Sequence, residues 1–252
     1  MIMEIYLAAF LIVLTAFAGK MLTWGTLGNW VKKHMRFLTT FALGVFSVML
    51  LFVYQETTEF SLSFGKVLLF AFFGILFLEL VQRLIPDGHH HHGDNRDECH
   101  HIRKINPKRV LMSDFFHNMS DGIALASTFL VSNTLGWSLA LGIFVHEFVQ
   151  ETSEFFILRE AGYSIKKALW SNFFVQLSIF LGIFLTLFFQ GEKYIPYLMS
   201  IALGMLAFVV FRDLFPHSFH IAREKKEYGK HIFVWILGVG VMLLVRLIFG
   251  EA

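Results

Sequence analysis

HNMSDG (residues 117–122) and HEFVQE (residues 146–151) interrupt two apolar segments that lie between residues 107 and 159. Positions three and four apart share one face of an α-helix, so each segment is predicted to carry one polar stripe. The stripes consist of Asp114, His117, Asn118 and Asp121, and of Glu147, Gln150, Glu151 and Glu154. We therefore expect imidazole, amide and carboxylate groups to project together from two helices embedded in apolar sequence.

The two stripes are expected to meet near the middle of a bilayer. With a rise of about 1.5 Å per residue across a core of about 30 Å, His117 and Gln150 fall at similar depth, as do Asp121 and His146. An acidic side chain at such depth costs about 2.5 to 3.5 kcal/mol, so the three motif acids together imply about 10 kcal/mol. A bound divalent cation would offset this cost. Imidazole with carboxylate suits zinc, iron, manganese or cobalt.

The overall composition indicates an integral membrane protein. Of the 252 residues, 56% are hydrophobic and 16% are charged, and 31 are phenylalanine. A single cysteine excludes an internal disulfide. The net charge of +2 says little by itself. We expect the lipid bilayer, and no nucleic acid, as a partner.

Eight apolar spans are predicted, at residues 2–19, 36–54, 65–85, 108–132, 135–158, 168–190, 194–215 and 231–250. Seventeen of the 21 basic residues fall beside or after spans one, three, five and seven, whereas only Lys66 and Lys193 fall on the opposite side. Because basic loops stay cytosolic, both termini are predicted to lie outside. We expect an all-α fold of eight transmembrane helices, forming a single transport domain over residues 1–252. Its first segment is expected to be a retained span rather than a signal peptide.

The longest loop, residues 86–106, is histidine-rich and is placed in the cytosol. Its histidines are His89, His90, His91, His92, His100 and His101. Such a stretch can capture a metal ion weakly, although a linker that binds metal only adventitiously, or an engineered tag, are alternatives. Asn106 and Pro107 predict the cap and first turn of the following helix.

Small and polar residues predict how the helices pack. Gly122 and the small residues after it are expected to let spans four and five approach closely. Span six carries Asn172, Gln176 and Ser178, for which interhelical hydrogen bonds are the expected role.

The two motifs make the chain resemble the ZIP (Zrt/Irt-like) family of divalent metal transporters over nearly its whole length. The family's fourth span carries His-Asn-x-x-Asp-Gly, as residues 117–122 do. Its fifth span carries His-Glu-x-Pro-(His/Gln)-Glu, which residues 146–151 resemble. The resemblance implies a 3+2+3 arrangement, with spans one to three and six to eight forming an inverted pair around spans four and five. It also implies metal movement toward the cytosol, a site that is often binuclear, and frequent homodimers.

The same resemblance implies the metal ligands residue by residue. Primary-site positions are occupied by His117, Asp121, His146 and Gln150. Second-site positions are occupied by Asn118 and Glu147, and Glu151 is the closing acid of the motif. Two residues depart from the pattern. Val149 replaces a proline, so the fifth span should run straighter, and the neutral Gln150 should weaken binding of borderline metals or alter selectivity.

The expected function is therefore transport, and not catalysis, in the plasma membrane. Zinc is the expected ion, with iron, manganese, cobalt and cadmium as alternatives, and no further cofactor is expected. The ion would meet Glu56 and Glu59 outside, bind the motif residues, and leave past Asp114 and Glu154.

Two other functions stay open on the sequence. A buried polar network could merely hold helices together, although several midplane acids without basic partners make this costly. An intramembrane zinc-dependent hydrolase would use His146 and Glu147 in the manner of His-Glu-x-x-His. Gln150 stands where that motif needs its second histidine.

Overall fold

The computed structural model describes residues 1–21, 25–60, 62–84, 106–189, 191 and 193–249, and within these ranges it contains helices and no strand. The helices are α1 (Ile2–Val13), α2 (Ala18–Met21), α3 (Gly25–Glu59), α4 (Phe64–Leu84), α5 (Pro107–Val131), α6 (Asn133–Glu160), α7 (Ile165–Gln176), α8 (Ser178–Phe188), α9 (Ile195–Phe208), α10 (Phe215–Glu224) and α11 (Tyr228–Phe249).

Six helical stretches are long and apolar enough to cross a membrane. The two long helices that carry the polar motifs, α5 and α6, are not among the six. Among the described residues, helix nevertheless occupies most of each of the eight predicted segments. The all-helical, multi-pass character is confirmed, whereas the count of eight crossings and the inverted topology stay predictions.

Local signals in the sequence set the ends of α5 and α6. The Asn106 side chain accepts a hydrogen bond from the backbone N–H of Lys108 (3.1 Å), and Pro107 is the first helical residue, as predicted. At the other end, Ser132 is extended (φ −153°, ψ 137°) and terminates α5. Its hydroxyl also accepts from the Leu135 N–H at 3.4 Å and so caps α6. The two helices form a hairpin with a one-residue turn.

Three of the predicted spans are not continuous α-helix. A 3₁₀ segment, Leu14–Phe17, separates α1 from α2, and Leu177 separates α7 from α8. A π-helical segment, Val209–Leu214, joins α9 to α10. By contrast α6 is one uninterrupted helix from Asn133 to Glu160, and Val149 lies within it; the straighter course expected from Val149 stays a prediction.

Pairs of glycines bring three pairs of helices into backbone contact. A Cβ on Gly122 would overlap the Ile179 carbonyl, and one on Gly182 would overlap the Met119 carbonyl. The same reciprocal arrangement joins α3 to α11 and α4 to α9, through the glycine pairs Gly44 with Gly238 and Gly74 with Gly204. The backbone that Gly122 meets most closely belongs to α8 of span six, whereas the sequence had predicted that Gly122 and the small residues after it would bring spans four and five together.

Polar contacts join α3 to the C-terminal part of the chain near both ends of α11. At one end, the Arg36 guanidinium lies 3.0 Å from the Glu227 carboxylate, and the Thr40 hydroxyl lies 2.7 Å from Nδ1 of His231. At the other end, Arg246 donates to the side-chain oxygen of Gln55 at 2.8 Å. These contacts fix α11 against α3 over its length.

Candidate metal site

The one-residue turn at Ser132 sets which residues of α5 and α6 face each other. In an antiparallel pair joined by so short a turn, residues equally far from it along the chain lie side by side. His117 and Glu147 are each 15 residues from Ser132, and Asp114 and Gln150 are each 18. Both pairs are in contact, with His117 Nε2 3.6 Å from Glu147 Oε1 and Gln150 Nε2 2.9 Å from Asp114 Oδ1. His117 thus lies one helical turn away from Gln150, whereas the sequence predicted that these two residues would lie at a similar depth in the membrane.

Two imidazoles meet between these helices. The Nε2 atoms of His117 and His146 lie 3.2 Å apart, and their ring centroids are 5.3 Å apart. Phe46 of α3 packs edge-on against the His146 ring at 5.8 Å. His146 is buried and His117 is partly buried. Two ring nitrogens directed at one point in an apolar surrounding form half of a typical zinc ligand set.

Carboxylates complete a first group around the histidines. Ligand atoms of His117, His146 and Glu147 all lie within 4.8 Å of one another. Glu147 is 0% exposed, and its Oε1 accepts no hydrogen bond from the residues that the structure describes. Asp121 lies alongside, with Oδ2 3.9 Å from His117 Nε2 and likewise without a hydrogen-bond donor in the described ranges. This arrangement of imidazole and carboxylate suits a borderline divalent cation.

A second group contains only carboxylates. Oxygens of Asp114, Glu147 and Glu151 lie within 4.8 Å of one another, and these residues are 2%, 0% and 0% exposed. Neither oxygen of Glu151 accepts a hydrogen bond in the described part of the chain. The neighbouring amide of Asn172 donates instead to the Glu151 backbone carbonyl, at 3.3 Å. Three buried carboxylates this close require bound cations or protons to be stable together.

Two side-chain amides donate to Asp114 of the second group. Asn118 Nδ2 donates to Asp114 Oδ1 at 2.8 Å, which leaves its own buried Oδ1 without a donor among the described residues. Gln150 Nε2 donates to Asp114 Oδ1 at 2.9 Å and to Glu154 Oε1 at 3.4 Å. Among the four expected primary-site residues, the structure brings together His117, His146 and Asp121. The fourth, Gln150, donates its amide to Asp114 and Glu154.

The remaining expected residues lie apart or outside the description. Glu56 and Glu59 are in the last turn of α3, and no described contact joins them to either group. The histidine-rich loop, with His89, His90, His91, His92, His100 and His101, lies outside the described residues.

The polar residues of span six form the predicted interhelical bonds, and one of them reaches the site. Ser178 donates to the Phe115 carbonyl at 2.7 Å, and Gln176 donates to Glu147 Oε2 at 3.2 Å. Gln176 also bonds to Thr15 at 2.8 Å. Thr15 was not singled out in the sequence, where a lone threonine in an apolar segment gives no signal of a polar contact.

Comparisons with known proteins agree on one family. A family model described as ZIP zinc transporter matches residues 86–246. The chain is 30% identical over 143 residues to the zinc transporter foi of Drosophila melanogaster, an alignment that covers 56% of this chain and 20% of that protein. It is 29% identical over 149 residues to the metal cation symporter ZIP14 of Xenopus tropicalis, covering 56% and 32%. A third relative, the zinc transporter ZIP10 of Danio rerio, is 30% identical over 146 residues, covering 55% and 17%. The aligned part spans one third or less of each of these relatives.

Proposed function

Because this chain belongs to the ZIP zinc transporter family, we propose that it carries a divalent transition metal, zinc in the first place, across a membrane into the cytosol through a site between α5 and α6. The chain is a multi-pass membrane protein with six apolar helices of spanning length. Iron, manganese, cobalt and cadmium are alternative substrates, since imidazole and carboxylate ligands also accept them.

The observation that carries this proposal is the first group. His117 and His146 point their ring nitrogens at one another across the hairpin, beside a Glu147 oxygen that receives no hydrogen bond from the described residues. Leaving such a carboxylate without a partner inside a membrane is costly. A divalent cation between the imidazoles and Glu147 would satisfy all three, with Asp121 as a fourth ligand.

The second group provides a next position for the ion. Glu147 belongs to both groups, so a cation could pass from the imidazoles to the carboxylates without losing contact with it. Glu151 and Asp114 would then bind it, with the Asn118 oxygen available and with the Gln150 amide bonded to Asp114 and Glu154. We place this position on the cytosolic side, because the basic residues at the start of α5 and the end of α6 indicate that side. The histidine-rich loop would receive the ion last.

The inverted 3+2+3 topology has support from the glycine crossings. If spans one to three were related to spans six to eight, span two would correspond to span seven and span three to span eight. The crossing of α3 with α11 would then correspond to that of α4 with α9, and both are built from a glycine pair. Termini outside, a homodimeric assembly and a plasma-membrane location complete the proposal.

The competing functions fit the geometry less well. A zinc-dependent hydrolase needs a second histidine at position 150, and Gln150 there donates its amide to Asp114. A network that only holds helices together would satisfy its own polar atoms, whereas both Glu151 oxygens accept no hydrogen bond in the described ranges.

Uptake into proteoliposomes tests the proposal. Zinc, cadmium, iron, manganese and cobalt would be offered to the wild type and to His117→Ala/Asp121→Ala. The control is His34→Ala, because the His34 ring bonds only to the Trp30 carbonyl of its own helix among the hydrogen bonds described. Uptake by wild type and control that is lost in the double variant supports the assigned path. Equal uptake by all three proteins would refute it.

A further inference from the structure

Gln176 is the last residue of α7, immediately before the break at Leu177, and is 0% exposed. Both polar atoms of its side-chain amide form hydrogen bonds. Nε2 donates one hydrogen to the Thr15 hydroxyl (2.8 Å) and the other to Glu147 Oε2 (3.2 Å), while Oε1 accepts from the backbone N–H of Ala16 (3.1 Å). Since a backbone N–H can only donate, the amide oxygen must face Ala16 and the NH₂ group must face Glu147.

The Ala16 N–H of span one is available to Gln176 because the α-helix of that span is interrupted there. In a continuous α-helix the Ala16 N–H would bond to the carbonyl four residues earlier, that of Ile12. Here the Thr15 hydroxyl donates to the Ile12 carbonyl at 2.7 Å. The 3₁₀ segment thereby turns the Ala16 N–H toward Gln176. Span one therefore anchors both ends of the Gln176 amide.

This anchoring has a direct effect on the two oxygens of Glu147. Oε2 is held by Gln176, and Oε1, which accepts no hydrogen bond among the described residues, lies 3.6 Å from His117 Nε2. Without the amide, the carboxylate could rotate about its last bond and present either oxygen, or both, to the histidines. The orientation that leaves Oε1 for a cation therefore depends on a residue of α7, a helix that carries neither motif.

We propose that Gln176 is a positioning residue for the transported metal, which fixes the Glu147 carboxylate and couples it to the 3₁₀ turn of span one. This inference rests on the proposed function, since it assigns Gln176 a role toward the same cation. Partners that orient a metal ligand generally contribute tenfold to hundredfold in metal affinity. An effect of that size is expected here, although Gln176 itself binds no ion.

Two variants separate this role from simple packing. Gln176→Met keeps an unbranched side chain of similar length and removes both the donors and the acceptor. Thr15→Val keeps the shape of the threonine and removes its hydroxyl, and Thr15→Ser restores the hydroxyl. Ser200→Ala is the matched control, because Ser200 is buried in α9 and bonds only to the Pro196 carbonyl of its own helix among the described hydrogen bonds.

The experiment measures Co²⁺ binding to the purified, detergent-solubilised protein by its visible absorption, whose wavelength and intensity report ligand geometry, together with KM and Vmax for Co²⁺ uptake. We expect Gln176→Met to weaken Co²⁺ binding by about tenfold or more and to raise KM with a smaller change in Vmax. It should also alter the spectrum. Thr15→Val should change the Co²⁺ affinity and the KM in the same direction as Gln176→Met, and Thr15→Ser should resemble the wild type. Adding Thr15→Val to Gln176→Met should cause little further loss of Co²⁺ affinity.

The outcomes distinguish the two proposals. A Co²⁺ spectrum in the wild type that does not change in His117→Ala would contradict the proposed function. A spectrum that depends on His117 but is the same in wild type and Gln176→Met would overturn the positioning role alone. Should Gln176→Met fail to fold, Thr15→Val decides, and an unchanged spectrum and affinity in that variant would equally overturn it.

Discussion

The Nε2 atoms of His117 and His146 lie 3.2 Å apart, on neighbouring helices that meet in an antiparallel hairpin. At this distance one ring must donate a hydrogen to the other, or both must direct lone pairs at a shared cation. Two protonated rings would each present a hydrogen to the other, so the contact excludes that state. Protons and metal therefore compete for the same pair of nitrogens.

Removing the histidine pair should abolish transport without unfolding the protein. We expect His117→Ala/His146→Ala to lose zinc and cobalt uptake, because the first group then retains only carboxylates, which bind borderline metals less selectively. The measurement is initial uptake rate in proteoliposomes, with His34→Ala as control. Retention of wild-type uptake by the double variant would exclude these rings as ligands.

Neutralising Glu151 should have opposite effects on the metal-free and the metal-loaded protein. Without metal, Glu151→Gln removes a fully buried carboxylate beside Asp114 and Glu147, and we expect unfolding to require about 1 to 3 kcal/mol more. When zinc is added, the increase in the free energy of unfolding that metal binding causes should be smaller in Glu151→Gln than in the wild type.

Thermal unfolding in detergent, with chelator and with zinc, measures both effects of Glu151→Gln. Glu160→Gln at the exposed end of α6 is the control. A variant less stable than wild type in chelator would show that Glu151 has a structural partner.

Filling a glycine crossing should disrupt the fold locally. A side chain on Gly122 would overlap the Ile179 carbonyl, so we expect Gly122→Leu to destabilise the protein by about 3 kcal/mol or more. Gly240→Leu on α11 is the matched control, since nothing lies within 4 Å of a Cβ there. Thermal unfolding and the monodispersity of the purified proteins compare the two. Equal stability of both variants would show that α5 and α8 can separate without cost.

Acid should weaken one contact outside the apolar helices. The hydrogen bond from Lys230, followed by the positive charge of Arg36, lowers the pKa of Glu227 below its usual 4.5. The contribution of this carboxylate to stability is therefore present above pH 4.5 and is lost as the pH falls through the lowered value. Glu227→Gln should reduce the Tm slightly at pH 7, and the difference from wild type should shrink at lower pH and in high salt. If the difference in Tm between Glu227→Gln and the wild type instead grew as the pH fell, the Glu227 carboxylate would not be the stabilising form.

The sequence predicted which residues share one face of a helix, but it did not predict which residues of other helices they contact. Helical periodicity placed His117 and Asp121 on one stripe, and the Asn106 and Pro107 signals gave the start of α5. It did not give the register, because depth counted from assumed span ends ignores the turn. Ser132 alone makes that turn, and it aligns His117 with Glu147 and not with Gln150.

Contacts between distant parts of the chain were the other limit. Gly122 signals close approach of some helix, but any apolar helix could accept it, and only the fold shows that α8 does. Thr15 and Gln176 are separated by 161 positions, and neither spacing nor composition links them. Such pairs are decided by packing of the whole bundle.

The one-residue turn at Ser132 also bears on how the protein enters its membrane. Helices α5 and α6 are not among the six apolar enough to cross a bilayer by composition, and each would be a poor substrate for insertion alone. Joined so closely, they can leave the translocation channel as one hairpin, with the polar stripe of each shielded by the other. Both motifs would then already face each other during synthesis, before the helices that follow α6 have been made.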